Sequence, residues 1–336
     1  MLAIALSAGI LAFLARQVDV DDVREVLVGA DPAGLAVGLA LYALLQAIRA
    51  VRYKLLAPAA TMRVLVGAHC VHALLLRVMP MRTGELGFAW LMRRSGAAGF
   101  TESLVGVLLV RVLDLTSVLA VFCIALLLSS GTFAAGSAST AGAVAVGAIA
   151  GLAPLYLQPL LALAHRVLDA VIGATGLARF ERVARGSRSL TSAVEGARRI
   201  PLSVLWQVMG LTVVQWGVSF ALIAVLLHAM GLDVSIAQAV LGGTGSIFGG
   251  LLPLAGVGSF GPLEAGWSLG FAAVGVAAED AIASSFGYSV ISFVYAALVG
   301  ALGWIGLPRP ESPPVEVAAA EAGASKARIS KGSGSP

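Results

Sequence analysis

Charge is scarce in this chain: 12% of its 336 residues are Asp, Glu, Lys or Arg, against about a quarter in a soluble domain. Hydrophobic residues make up 59%, and the mean hydropathy is +0.94. So little polar surface excludes an ordinary soluble fold and, for the bulk of the chain, disorder; lipid must solvate most of the exterior. Lysine is nearly missing, at 3 against 19 arginines. In a soluble protein the net charge of +4 would suggest nucleic acid. Here the cations fall between apolar runs, where they orient a chain in a membrane, so no nucleic-acid partner is expected. Cysteine is equally sparse. Cys70 and Cys123 stand alone in apolar stretches without CxxC or Cys/His spacing, which excludes a disulfide framework and a zinc site and leaves buried free thiols. Ten-residue segments of alternating polarity are also missing, so the apolar runs are helices rather than strands of a barrel.

Nearly uncharged runs at 1–15, 33–48, 104–129, 141–164, 204–227 and 281–305 reach or approach the roughly 20 residues that a helix needs to cross a bilayer. The first reads as a retained signal anchor. Basic residues mark the cytoplasmic loops: Arg49, Arg52, Lys54 and Arg63, then Arg93 and Arg94, then seven arginines between 165 and 200. Acidic or uncharged segments at 19–31, 132–140, 233 and 279–280 belong outside. The tail 308–336 is too poor in apolar residues to pack and reads as a disordered cytoplasmic extension of a membrane domain spanning 1–307.

That assignment has a topological consequence. Segment 64–92 lies between two cytoplasmic loops and is broken by Pro80-Met-Arg82-Thr-Gly84-Glu85, which lipid-facing helix cannot contain. It predicts a re-entrant hairpin. Segment 236–276 begins and ends outside and is broken from Pro253 to Glu264, which predicts a second hairpin from the opposite side. The expected fold is all-α: a polytopic helical membrane protein with two inverted repeats, 33–129 and 204–305, each containing a re-entrant hairpin. Span 141–164 and the basic loop 165–200 connect them. Each hairpin turn carries Pro and then Glu-x-Gly, and paired broken segments in inverted halves point to a midplane transport site.

A charge inside a span costs several kcal/mol unless paired or hydrated, roughly 3 by insertion scales, so each one needs a reason. The candidates are Arg77, Arg82, Glu85, Arg111, Asp114 and Glu264. Arg111 and Asp114 share one helix face by spacing and form either a mutual structural ion pair or part of a binding site. Arg82, Glu85 and Glu264 sit in hairpin turns, where half-helix ends leave amides and carbonyls free for a polar ligand.

Four ordered motifs carry a resemblance. Arg49-Ala-Val-Arg52-Tyr53-Lys54, Pro80-Met-Arg82-Thr-Gly84-Glu85, Arg111-Val-Leu-Asp114, and Pro253 with Gly256-Val-Gly258-Ser-Phe-Gly261-Pro-Leu-Glu264 together resemble the lysylphosphatidylglycerol synthase transmembrane region, a flippase-like family of bacterial and archaeal inner-membrane proteins. The resemblance implies movement of lipids between leaflets, aminoacylated phospholipids in the best-understood members. It also implies a lone membrane domain, because the tail cannot hold the soluble aminoacyl-transferase domain of the full synthase; no enzyme activity is expected. Phe88 and Ala89 stand where relatives often carry a basic residue, and Gly287-Tyr-Ser289 where they often carry Arg.

Other features are weaker. His69 and His72 share a face but read as packed core histidines, since no further ligand accompanies them. The glycines 256–261 lack the βαβ setting of a dinucleotide site, and no cofactor is expected. Trp206, Trp216, Trp267, Trp304 and Tyr53 read as an interfacial aromatic belt. Segment 177–199 reads either as an amphipathic helix on anionic headgroups or as topology-setting charge alone.

The expected function is a flippase for an anionic phospholipid or a polyprenyl-phosphate lipid, possessing a polar cleft in which Arg82 and Arg111 attract phosphate and Glu85, Asp114 and Glu264 balance charge. Arg49, Arg52, Pro80, Gly84, Pro253, Gly258 and Gly261 would be structural, and a homo-oligomer is compatible with the chain. The alternatives are a cation-coupled carrier of a small solute and an intramembrane lipid-modifying transferase.

Overall fold

A computed structural model describes residues 28–79, 83–128, 137–175, 181–251 and 261–308. Their secondary structure is helical throughout. The helices are α1 (Pro32–Leu56), α2 (Met62–Val78), α3 (Gly84–Arg94), α4 (Phe100–Leu128), α5 (Ser137–Gly151), α6 (Ala153–Ala174), α7 (Glu181–Arg198), α8 (Leu202–Ala229), α9 (Ile236–Leu251), α10 (Pro262–Ala273) and α11 (Ala278–Gly306). Five of them, α1, α4, α6, α8 and α11, are long and apolar enough to cross a membrane. Residues 1–15 and the tail from 309 onward lie outside the described residues, as do Pro80, Arg82, Pro253 and Gly258.

Local chemistry sets the helix starts. Pro32 opens α1 with Asp31 as its N-cap, the Asp31 carboxylate accepting from the amides of Ala33 (3.2 Å) and Gly34 (2.8 Å). Thr61 caps α2 in the same way through Val64. The connecting span is not the single helix expected over 141–164. It is divided at Leu152 into α5 and α6, and α6 continues to Ala174, well into the stretch read as a loop. The cause is Pro154, which has no amide and whose ring crowds the carbonyl four residues back. Tyr156 Oη donates to the Ile149 carbonyl (2.8 Å), satisfying one acceptor freed there. The basic segment is helical as well, and α7 buries Ala193, Val194 and Ala197 against Val105, Leu109 and Leu205.

The sequence breaks at Pro80 and Pro253 separate two packed pairs, α2 with α3 and α9 with α10. Gly84 lets α3 start directly on α2: a Cβ there would come within 2.8 Å of the Leu75 carbonyl. Across α9 and α10, Gly245 and Gly249 face Gly266 and Gly270 so closely that a Cβ on any of them would strike opposing backbone. Between the two halves, α1 packs on α8, α2 runs along α11, and α9 packs against α4.

The core holds Phe220, Phe271 and Trp267, all fully buried. Trp267 stacks on Tyr288 with ring centroids 4.4 Å apart and donates from Nε1 to Ser284 Oγ (3.2 Å). This corrects part of the expected aromatic belt. Trp267 and Tyr53 are core residues, because each indole or phenol finds an interior partner, whereas Trp206 and Trp304 are exposed. Leu269, Leu302 and Ile305, each more than 70% exposed, belong to an apolar exterior that only lipid would solvate well.

Candidate functional site

Of the two readings of Arg111 and Asp114, the mutual ion pair is replaced by two pairs to other helices. Arg52 on α1 is 4% exposed and donates to Asp114 Oδ1 (2.5 Å), to Oδ2 (3.5 Å) and to Thr212 Oγ1 (3.0 Å). Thr212 donates onward to the Val208 carbonyl, and Trp216 Nε1 donates to the Asp114 carbonyl (3.1 Å), so one ion pair ties α1, α4 and α8. Arg111 turns the other way and donates from Nε to Glu85 Oε1 on α3 (2.9 Å), where both side chains are partly accessible. A spacing of three residues put both groups on one side of α4, but each found a better partner on a different neighbour. Arg52, read as a structural motif residue, is therefore the buried counter-ion of Asp114.

Two further arginines lack a carboxylate. Arg49, half-buried, donates to its own-helix neighbour Gln46 (3.2 Å) and lies within electrostatic reach of Tyr42, Arg52, Asp114 and Arg111. Arg77, half-buried near the end of α2, makes no hydrogen bond or ion pair among the described residues and lies within electrostatic reach of Tyr42 and Glu264. Arg82 lies outside the described residues.

Glu264 is a different kind of carboxylate. It is 1% exposed; Oε2 accepts from the Gly261 amide (2.6 Å) and Oε1 from the Ser289 hydroxyl (2.5 Å). Gly261 starts α10 at φ 115°, a conformation that favours glycine, and its amide is delivered to Glu264 by that turn. Ser268 adds a hydrogen bond to the Glu264 carbonyl (2.8 Å). Thr212 and Gln46 were not singled out in the sequence, and Ser289 was noted only as standing where relatives often carry Arg. Their signal was available: buried hydroxyls and amides stand out in spans otherwise made of Ala, Leu and Val.

His69 and His72 are packed core residues as expected, their rings 4.7 and 5.1 Å from that of Phe88. Both ring nitrogens of His69 and Nε2 of His72 are nevertheless buried with no hydrogen-bond partner among the described residues. No group of three potential metal ligands occurs among those residues either.

One asymmetry organises the whole site. Between Arg199 and Arg309 the chain has no lysine or arginine, so α8 to α11 contribute hydroxyls, glycines and Glu264, whereas the arginines at 49, 52, 77 and 111 all come from α1, α2 and α4.

Spanning helices that enclose paired and unpaired arginines define an integral membrane protein with a polar interior. Within that class the chain belongs to the family of the lysylphosphatidylglycerol synthase TM region, whose family model matches residues 1–300. Neither a curated protein nor a solved structure matches it.

Proposed function

We propose that this protein moves a phosphate-bearing lipid, a phospholipid or a polyprenyl-linked lipid, between the leaflets of a bacterial or archaeal inner membrane, acting as a transporter and not as an enzyme. The observation that carries this reading is the pair of half-buried arginines, Arg49 and Arg77, that have no carboxylate partner among the described residues inside an apolar helical bundle. Such charges persist where water or an anionic ligand meets them. A headgroup phosphate would enter beside Arg77, Arg49 and the accessible Arg111, while the acyl or isoprenoid tails stay in lipid.

Packing between the halves supports an inverted repeat. α2 of the first half lies on the last helix of the second, and α9 of the second lies on the last helix of the first. In this reading α2–α3 and α9–α10 are re-entrant hairpins from opposite sides, and alternating access is a rocking of one half against the other. A cation-coupled carrier would want free carboxylate oxygens at the broken helices. Glu264 instead has both oxygens occupied by donors.

Reconstitution tests the proposal. Vesicles holding the protein and a fluorescent phosphatidylglycerol should lose their inner-leaflet protection from an impermeant quencher far faster than protein-free vesicles, and Arg77→Gln should slow the exchange at least about tenfold, one lost charge-assisted contact. Equal rates with and without the protein would overturn it.

A further inference from the structure

The last residue of α3 meets the last turn of α11 through aromatic rings. The guanidinium carbon of Arg94 stands over the indole of Trp90 on its own helix and over that of Trp304 on α11, 5.1 Å from each centroid, within the reach of a cation–π contact. Arg94 is exposed and has no hydrogen bond or carboxylate partner among the described residues, so the two indoles place its charge and leave its N–H donors uncommitted. A cavity of about 350 Å³ opens beside it, lined by Arg94, Ser95, Trp304, Ile305 and Leu307 among others, a size typical of small-ligand sites. Apolar surface continues along both helices: Leu86, one turn before Trp90, and Leu302 on α11 are exposed. Basic residues gather at this end, where Arg63 donates from Nε to the Gly306 carbonyl (2.9 Å) and Arg93 is exposed. By the charge rule this end faces the cytoplasm. Glu85 lies in the first turn of α3 and Arg94 closes the helix, which sets the cavity about 14 Å along the axis from the Glu85–Arg111 pair.

We propose that this cavity binds the phosphate of an anionic phospholipid of the cytoplasmic leaflet, at a site outside the transport cleft and independent of the leaflet-transfer reading. The planar guanidinium of Arg94 donates to the phosphate oxygens, a pairing its fork geometry favours, and the Ser95 hydroxyl lines the same cavity as a further donor. Trp90 and Trp304 sit where headgroup meets tail, the depth that indoles prefer. The acyl chains lie against Leu86 and Leu302 on the two helices. A soluble anion would find the cation but none of this apolar surface, whereas a lipid matches both. Bound there, the lipid joins the end of the first helix pair to the last helix of the second half.

Native mass spectrometry of the purified full chain, in mixed micelles offering equimolar phosphatidylglycerol and phosphatidylcholine, counts the lipids retained. The natural chain should hold phosphatidylglycerol in preference. Arg94→Gln should weaken one bound molecule at least about tenfold, the loss of a charge-assisted contact, and so lower the count by one. Arg94→Lys, which keeps the charge and loses the planar fork, should restore binding only in part. Trp304→Leu should weaken the same molecule about two- to fivefold. Arg166→Gln, exposed on α6, should leave the count unchanged. The lysine and leucine variants keep the test open if the glutamine variant fails to fold. No preference for phosphatidylglycerol in the natural chain would overturn the proposal, and so would a count as sensitive to Arg166 as to Arg94, which is surface attraction alone. Displacement of the Arg94-dependent lipid by inorganic phosphate at similar concentration would overturn the lipid assignment in favour of a free anion. Lipid counts indifferent to Arg94, with the thermal midpoint lowered equally by Arg94→Gln and Glu311→Gln, would give the cavity to a carboxylate of the tail and overturn it as well.

Discussion

The two helix pairs α2–α3 and α9–α10 follow similar sequence patterns, a proline break followed by Glu-x-Gly, yet they are held together by different physics. In the first pair the glutamate is partly accessible and ion-paired to Arg111 on α4. In the second, the glutamate is buried, its oxygens receive one amide and one hydroxyl, and the helices meet backbone to backbone along a row of glycines. The same letters thus specify an exchangeable contact in one half and a fixed one in the other. An ion pair with access to water can trade its partner for a ligand at small cost, whereas a carboxylate sealed against a helix start cannot.

Mutations should separate the halves by size of effect. The largest concerns the buried anchor beside the first pair: Asp114→Leu strands the Arg52 charge and should cost about 3–5 kcal/mol, read as a lowered thermal midpoint in detergent. Arg52→Met combined with Asp114→Leu should recover most of that loss; no recovery would show that the pair does more than balance charge. Next is the glycine seam. Gly249→Ala forces a Cβ onto the Pro262 carbonyl and should cost about 1–3 kcal/mol, while Gly217→Ala on α8, which meets nothing within 4 Å, should be near neutral. Equal effects at the two sites would break the account of α9–α10. Third, Glu264→Gln turns an amide nitrogen towards a donor and should cost about 1–2 kcal/mol. Glu85→Gln sharpens the contrast from the other side: its stability loss should stay within about 1 kcal/mol, and its lipid exchange should fall. A Glu264→Gln protein as stable as the natural one would make the two glutamates equivalent after all.

Much of this architecture was legible in the sequence. Apolar run lengths located the long helices, and the prolines at 80 and 253 marked the division of each pair, because backbone in lipid has no alternative to continuous helix. What escaped was long-range. Asp114 and Arg52 lie 62 residues apart, and nothing in the local spacing of Arg111 and Asp114 says which neighbouring helix each will meet. The break at Leu152 was legible in principle from Pro154 but was hidden by the apolar character on both sides of it. The glycine seam was also present as a pattern: Gly242, Gly245 and Gly249 recur at helical spacing opposite Gly266 and Gly270, the small-residue signature of close helix contact. Trp267 misled because tryptophan in a membrane chain suggests an interface, and only the position of Ser284 shows where its indole is satisfied.

The confinement of arginine to one half also decides how the molecule feels a voltage. Between its cytoplasmic ends, from 64 to 92, the first pair carries two arginines and one glutamate; from 236 to 273 the second carries Glu264 alone. An elementary charge displaced through the full field gains or loses about 2.3 kcal/mol per 100 mV. An energised membrane would therefore push the two helix pairs in opposite senses. The resting potential itself would act as a torque between the halves, and its collapse would relax that torque without any ligand being bound.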